Sequence, residues 1–253
     1  MCLIGYDARI RSIGVRHRWK RRMPQLFGQP LSRRKLLKYL LGIAAGVAAL
    51  SVGSIFFRQP FKGERPPSNP SRLPPNQREV TELIVFSIAA TPIFVEKDWR
   101  LEILGEVQKP LSLTWSDFLR LPKTTRQSDF HCVTGWSKLD NLWGGTPFKN
   151  IVELCAPKSS AHFVGFTCED GYFTYLPLDV LLDADVMLAY ELDGKQLEPE
   201  HGQPLRLVVP QKYGYKSAKW IHEIKFTTED QLGFWEKLGY SNSADPWKEQ
   251  RRK

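Results

Sequence analysis

The sequence predicts an α+β domain of mixed β-sheets with short helices, and three features carry that prediction. Period-two alternation runs through Trp99-Arg-Leu-Glu-Ile-Leu-Gly-Glu-Val107, the pattern of a strand with one buried face. Asp170-Gly171 and Asp193-Gly194 each stand between apolar runs, where such a dipeptide closes a hairpin. The helical segments are short and bounded by proline, unlike the long alternating helices of a doubly wound nucleotide-binding fold.

Taken in order, residues 1–38 hold eleven Lys or Arg against the single acid Asp7. They include Ser32-Arg33-Arg34-Lys35-Leu36-Leu37-Lys38, which looks like a twin-arginine export motif with Leu where Phe is commonest. Residues 39–57 carry no charge, close to the minimum for a bilayer-crossing helix and equally suited to a signal segment. Ser51-Val52-Gly53 is a small-residue cleavage site, whereas Ile55-Phe56-Phe57 would prolong an anchor. A basic flank before an apolar helix keeps the flank inside. The expectation is therefore a domain exported across, or anchored in, the inner (plasma) membrane and facing the periplasm, with the twin-arginine export machinery as a partner.

Residues 58–79 are proline-rich and predict a stiff, extended linker. The globular domain is expected over residues 80–240. After the strand at Trp99–Val107, Thr114-Trp-Ser-Asp117 starts a helix that runs into Phe118-Leu119 before Pro122. Pro147-Phe-Lys-Asn-Ile-Val-Glu-Leu154 predicts a second short helix, and Leu205–Val209 and Ile221–Phe226 predict further strands. Residues 241–253 form a polar C-terminal tail.

The net charge of +9 sits wholly in residues 1–38, which leaves the rest of the chain nearly neutral. A basic terminus on a neutral domain is a targeting or membrane-surface element, and nucleic acid is excluded as a partner. The four cysteines, at positions 2, 132, 155 and 168, show no CxxC spacing, which argues against a clustered zinc site. Cys155 and Cys168 follow apolar runs and are expected as small buried hydrophobes, with a disulfide between them left open.

Two segments carry chemistry. In Asp129-Phe-His-Cys-Val-Thr-Gly-Trp-Ser137 a lone thiol beside a histidine precedes Gly-Trp-Ser, which suggests a cysteine held in a fixed loop. His201-Gly-Gln-Pro-Leu-Arg-Leu-Val-Val-Pro-Gln-Lys-Tyr-Gly-Tyr-Lys-Ser-Ala-Lys-Trp220 gathers an arginine, three lysines and a Gly-containing turn, which suits a large anionic cofactor.

Both segments resemble the molybdopterin-binding domain of the sulfite-oxidase-like oxidoreductases, over residues 80–240. The resemblance implies a molybdenum–molybdopterin cofactor whose own dithiolene supplies sulfur, so that the protein gives the metal a single thiolate, Cys132. It implies that Arg206 contacts the cofactor, as a guanidinium grips a phosphate by two parallel bonds. Ser217, Ala218 and Lys219 match the family's cofactor-binding stretch, where backbone N–H groups and one ammonium cradle an anion. Thr167 matches a threonine that meets the pterin, and His201 a polar contact that is Asn in some relatives. His131 and His162 are weaker candidates. The region of Ser87-Ile88-Ala89-Ala90-Thr91 is expected to form the remaining pocket wall.

The implied reaction is oxygen-atom transfer coupled to a two-electron change of the metal. The substrate would be a small sulfur-containing or related oxo donor or acceptor, with a separate haem-containing electron-transfer protein as partner. Val133-Thr134-Gly135-Trp136-Ser137 lacks the arginine that follows the metal cysteine in true sulfite oxidases. Arg126 and Lys138 could compensate, and Trp136 and Trp143 predict a more aromatic mouth. Two other classes remain open: a cysteine-nucleophile hydrolase using Cys132 with His131 or His162, and a membrane-tethered, non-catalytic binding module.

Overall fold

The computed structural model describes residues 70–253, so the expectations placed on the basic segment, the apolar helix and most of the linker lie outside the described residues. Among the described residues no helix is long and apolar enough to cross a membrane.

Two mixed sheets form the body. The first joins β1 (Arg78–Glu79), β4 (Thr124–Cys132), β5 (Trp136–Pro147), β8 (Met187–Leu192), β9 (Lys195–Gln196) and β10 (Arg206–Val208). Its spine runs β1-β5-β8-β10, with β4 paired to β5 and β9 to β8. The second is ordered β3 (Leu111–Thr114), β2 (Arg100–Gly105), β11 (Ile221–Thr227), β6 (Phe163–Cys168), β7 (Phe173–Pro177). One parallel pair in each sheet, β1 with β5 and β2 with β11, makes them mixed. Both Asp-Gly dipeptides lie at hairpin turns, between β6 and β7 and between β8 and β9. Asp193 and Gly194 have φ of 51° and 77°, the left-handed pair that a two-residue turn requires.

Alternation in β2 buries Leu101 and Ile103 fully, and they join Phe118, Phe148, Val164, Phe166, Leu207, Ile224 and Phe226 in the main core. Each such side chain contributes about 1.5–3 kcal/mol through the apolar surface it removes from water. Helix α1 (Trp115–Leu119) starts as the sequence predicts. Thr114 Oγ1 accepts from the Asp117 amide at 3.1 Å, and Asp117 accepts from the Thr114 amide at 3.0 Å, a reciprocal capping box. Helix α2 (Phe148–Cys155) buries Phe148, Ile151 and Cys155 on one face and ends at Ala156, whose φ is 47°. Pro147 both closes β5 and stands as the N-cap of the helix. The short helices α3 (Leu178–Leu181) and α4 (Phe234–Lys237) complete the described elements. Cys155 and Cys168 are both buried free thiols, so the disulfide left open by the sequence is not formed.

The folded body also takes in residues ahead of position 80. Arg72 pairs with Asp129 and Asp140 on the β4–β5 hairpin, and β1 adds to β5.

Candidate functional site

A cavity of about 300 Å³ opens where the ends of these elements meet. Three loops place the chemistry. The β4–β5 turn carries Cys132 to its wall, the loop into β10 brings His201 and Arg206, and the segment before β11 brings Ser217, Ala218 and Lys219. Six of the seven residues singled out in the sequence therefore converge. Thr167 does not line the cavity; it lies in β6, with its hydroxyl donating to Glu223 at 3.2 Å.

Cys132 is the last residue of β4 and packs with Val80 and Trp136 in a small apolar cluster. Its sulfur lies 3.1 Å from the Thr134 hydroxyl. Burial pushes the thiol's pKa up, with the Thr134 bond opposing this. A thiolate there needs a cation to stabilise it, and a metal supplies one. Among the described residues no group of three or more His, Cys, Asp or Glu is placed to hold a metal, so an ion at Cys132 would bring other ligands with it. His131 is on the same strand but places Nδ1 2.8 Å from Ser137 Oγ, and His162 is exposed and absent from the cavity lining. Neither is presented to the thiol as a hydrolase dyad would require.

Arg206 is the second anchor. Strand alternation sends Leu207 into the main core and Arg206 to the opposite face, over the rings of Trp143 (5.0 Å to the centroid) and Phe130 (5.5 Å). Only 4% of it is exposed, yet its hydrogen bonds go to two carbonyls, His201 O at 2.9 Å and Ser217 O at 3.5 Å. Nε has no hydrogen-bond partner among the described residues. Burial brings the guanidinium pKa down to about 10. A buried cation without a carboxylate costs several kcal/mol unless an anion joins it, so the site is shaped for one.

Lys219 is the second cation. Its pKa is depressed to about 8 by burial and then by Arg206, while Asp170, Glu200 and Cys168 act in the opposite direction. The ammonium donates to Glu200 O at 2.8 Å and lies 4.1 Å from the Trp220 ring centroid. Gly202, at φ 111°, allows this crowding: a Cβ there would come within 3.1 Å of Arg206 Cβ and 3.2 Å of Lys219 Cβ. Ser217 Oγ accepts from the Val209 amide at 3.0 Å, and Ala218 O from the Leu207 amide at 2.8 Å, which fixes the turn beside both cations. A phosphate-bearing cofactor fits this donor set.

Several expectations need correction. Of the three lysines in the second segment only Lys219 lines the cavity; Lys216 is buried behind it against Glu236, and Lys212 lies outside the lining. Trp143 is fully buried beneath Arg206 rather than at the mouth. Lys138 pairs with Asp193 at 3.7 Å, and Arg126 is exposed on β4 with bonds to Thr124 and Thr125, so neither compensates for the missing local arginine. The outer wall comes from Leu83 to Ile88, beginning four residues earlier than the sequence suggested. Tyr172, Tyr215, Trp235 and Tyr240 also line the cavity. Tyr215 lies in the second segment, but none of the four was singled out as a site residue, because an aromatic in a domain rich in them has no distinguishing pattern.

Comparison with known proteins agrees with this geometry. Residues 88–235 match the family model described as the oxidoreductase molybdopterin binding domain. The chain is 41% identical over 192 residues to an uncharacterised oxidoreductase of Bacillus subtilis, YuiH, covering 76% of this chain and 97% of that one. It is 31% identical to MsrP of Campylobacter jejuni, the catalytic subunit of a protein-methionine-sulfoxide reductase, over 81% of this chain and 76% of the relative. The crystal structure of the sulfane dehydrogenase SoxCD from Paracoccus pantotrophus superposes with a TM-score of 0.53 at 25% identity. The match covers 59% of this chain and 42% of the SoxCD chain.

Proposed function

The chain belongs to the oxidoreductase molybdopterin-binding domain family, and from that premise we propose that it catalyses two-electron oxygen-atom transfer on a small sulfur-containing substrate, in the direction of sulfoxide reduction. The observation that carries the reading is Arg206, a buried guanidinium that has no carboxylate partner among the described residues and faces the same cavity as the Cys132 thiol. When bound, the cofactor supplies a molybdenum centre that exchanges two electrons and one oxygen atom with the substrate.

The chain's own residues bind, orient and exclude. Cys132 offers the metal one soft sulfur from a turn whose backbone is fixed on both sides. Arg206 and Lys219, with the Ser217–Ala218 turn, hold the anionic end of the cofactor. Leu83, Ile84, Val85, Phe86 and Ile88 line the cavity with apolar surface, and Trp136 adds an aromatic one. That wall, presented by carbon rather than by charged groups, favours a neutral sulfoxide with carbon substituents over sulfite. The overall reaction consumes two electrons and two protons per sulfoxide and releases the sulfide and water. A separate haem protein is the proposed electron donor, and the placement of the domain outside the inner membrane is proposed from the sequence of residues 1–57.

The test is the full chain matured in a cofactor-competent host. Near-stoichiometric molybdenum by elemental mass spectrometry is expected, with methionine sulfoxide oxidising reduced viologen and sulfite giving slower turnover with ferricyanide. Absence of molybdenum in folded protein overturns the class, and faster sulfite oxidation reverses the direction.

Lys219 predicts a pH dependence. Its pKa of about 8 means that the ammonium is protonated below that pH, and a bound anion favours the protonated form. Affinity of the cofactor-free protein for inorganic phosphate should therefore fall roughly tenfold as pH rises from about 7.5 to about 9, below the pKa of about 10 at which Arg206 also loses its charge, the equivalent of losing one charge-assisted bond. Lys219→Gln should flatten this dependence relative to wild type in calorimetric titrations, because the ligand's own ionisation is common to both proteins and cancels in the comparison. A wild-type profile that is already flat would contradict the assignment.

A further inference from the structure

The turn Cys132–Trp136 is held from outside itself. Gly135 donates to Cys132 O at 3.1 Å within the turn, and Gln77 Nε2 reaches the same carbonyl at 3.1 Å. The Arg78 amide donates to Gly135 O at 3.1 Å. The Val133 carbonyl accepts from Arg251 Nη1, and Arg251 Nη2 extends to Asn76 O at 3.4 Å. One guanidinium thus joins the cysteine turn to the segment that holds its other carbonyls.

The tail that carries Arg251 is anchored in its own right. Ser241 N donates to Arg251 O at 3.2 Å, and Tyr240 bridges with Arg252. Asn76 Nδ2 donates to Glu249 Oε1 at 2.6 Å, while fully buried Ala244 accepts from the Tyr213 amide at 2.8 Å. The Arg251 guanidinium lies 5.2 Å from the Tyr213 ring centroid, and Tyr213 pairs with His131, the neighbour of Cys132. Trp247 sets its ring edge-on to His131 at 6.2 Å. Asn76, Gln77 and Arg251 all lie outside residues 88–235, the span of the family model.

We propose that Arg251 is a positioning residue for the Cys132 thiol, clamping the cysteine turn to the Asn76–Arg78 segment from the C-terminal tail. This rests on Cys132 being the metal-binding thiol. The two bonds leave from different nitrogens of one planar fork; an ammonium keeps the charge but offers a single nitrogen and cannot reproduce that geometry. The turn contains a left-handed Gly135 (φ 96°), so an unclamped turn has an easy route to other conformations.

The experiment compares wild type, Arg251→Gln and Arg251→Lys, each as the full chain, by two readouts that do not depend on turnover. Hydrogen–deuterium exchange on the cofactor-free protein is expected to rise at least tenfold across residues 132–136 in Arg251→Gln, and less in Arg251→Lys, with the thermal midpoint little changed. In the holoproteins the Mo(V) electron paramagnetic resonance signal should shift in the same order. Wild-type exchange and an unchanged signal in a molybdenum-loaded Arg251→Gln protein overturn the proposal. Should Arg251→Gln fail to fold, Arg251→Lys decides in its place: increased exchange at the turn supports the clamp, and wild-type exchange overturns it. A wild-type protein that folds but takes up no molybdenum in a cofactor-competent host overturns the functional reading instead, and the exchange experiment separates that failure from failure of the clamp.

Discussion

Cys132→Ser is expected to lower sulfoxide turnover by about a thousandfold, or about 4 kcal/mol of transition-state stabilisation, while leaving both fold and cofactor in place. The fold should survive because the change is small. The sulfur sits in a minor cluster with Val80 and Trp136, away from the main core, and a serine oxygen can still meet the Thr134 hydroxyl. The stability change should stay within about 1 kcal/mol. Cofactor should remain because Arg206 and Lys219, on other segments, hold its anionic end. Turnover is lost because a hard alcohol oxygen replaces the soft sulfur that suits molybdenum. Three measurements on one preparation check this: molybdenum per chain, thermal midpoint and steady-state rate with a sulfoxide. A mutant within tenfold of wild-type rate would remove Cys132 from the metal's coordination.

How much of this was readable beforehand depends on how local each signal is. The capping box of α1, the two Asp-Gly hairpins and the alternating β2 are all encoded within a few residues, and each forms as expected. Strand β4 was not legible because β5 is its only partner among the named strands, apart from the single bridge of His131 to Tyr213. Its outward residues Thr125, Arg126 and Gln127 are exposed, so no buried face imposes an alternation. Strand β5 hides its period for another reason: the bulge beside Asn141, with Asp140 at φ 58°, breaks the pattern. Within the site, Arg206 and Lys219 were visible because one segment carries both. Arg251 was not, since nothing local distinguishes it from other basic residues of a polar tail. Its importance comes from a partner 118 positions away.

Arg206→Met is expected to separate the two things a buried cation does. In the cofactor-free protein the guanidinium is a burden: it is 4% exposed, has no carboxylate, and its pKa is drawn down to about 10 by desolvation alone. Removing an uncompensated buried charge returns up to several kcal/mol. Against that stand the cation–π contacts with Trp143 and Phe130, together on the order of 2–4 kcal/mol when desolvated, and the hydrogen bonds to the His201 and Ser217 carbonyls. Methionine has similar reach and can lie against the same rings. The thermal midpoint of the cofactor-free mutant should therefore stay close to that of wild type. Cofactor retention should move the other way, by about a hundredfold, because two charge-assisted bonds to the anion are lost. Molybdenum content after extended dialysis is the readout, with Cys132→Ser as the counterpart that keeps cofactor and loses turnover. A clearly lowered midpoint with unchanged molybdenum would make Arg206 a structural cation. An unchanged or raised midpoint with lost molybdenum makes it the residue that turns a cost of folding into affinity for the cofactor.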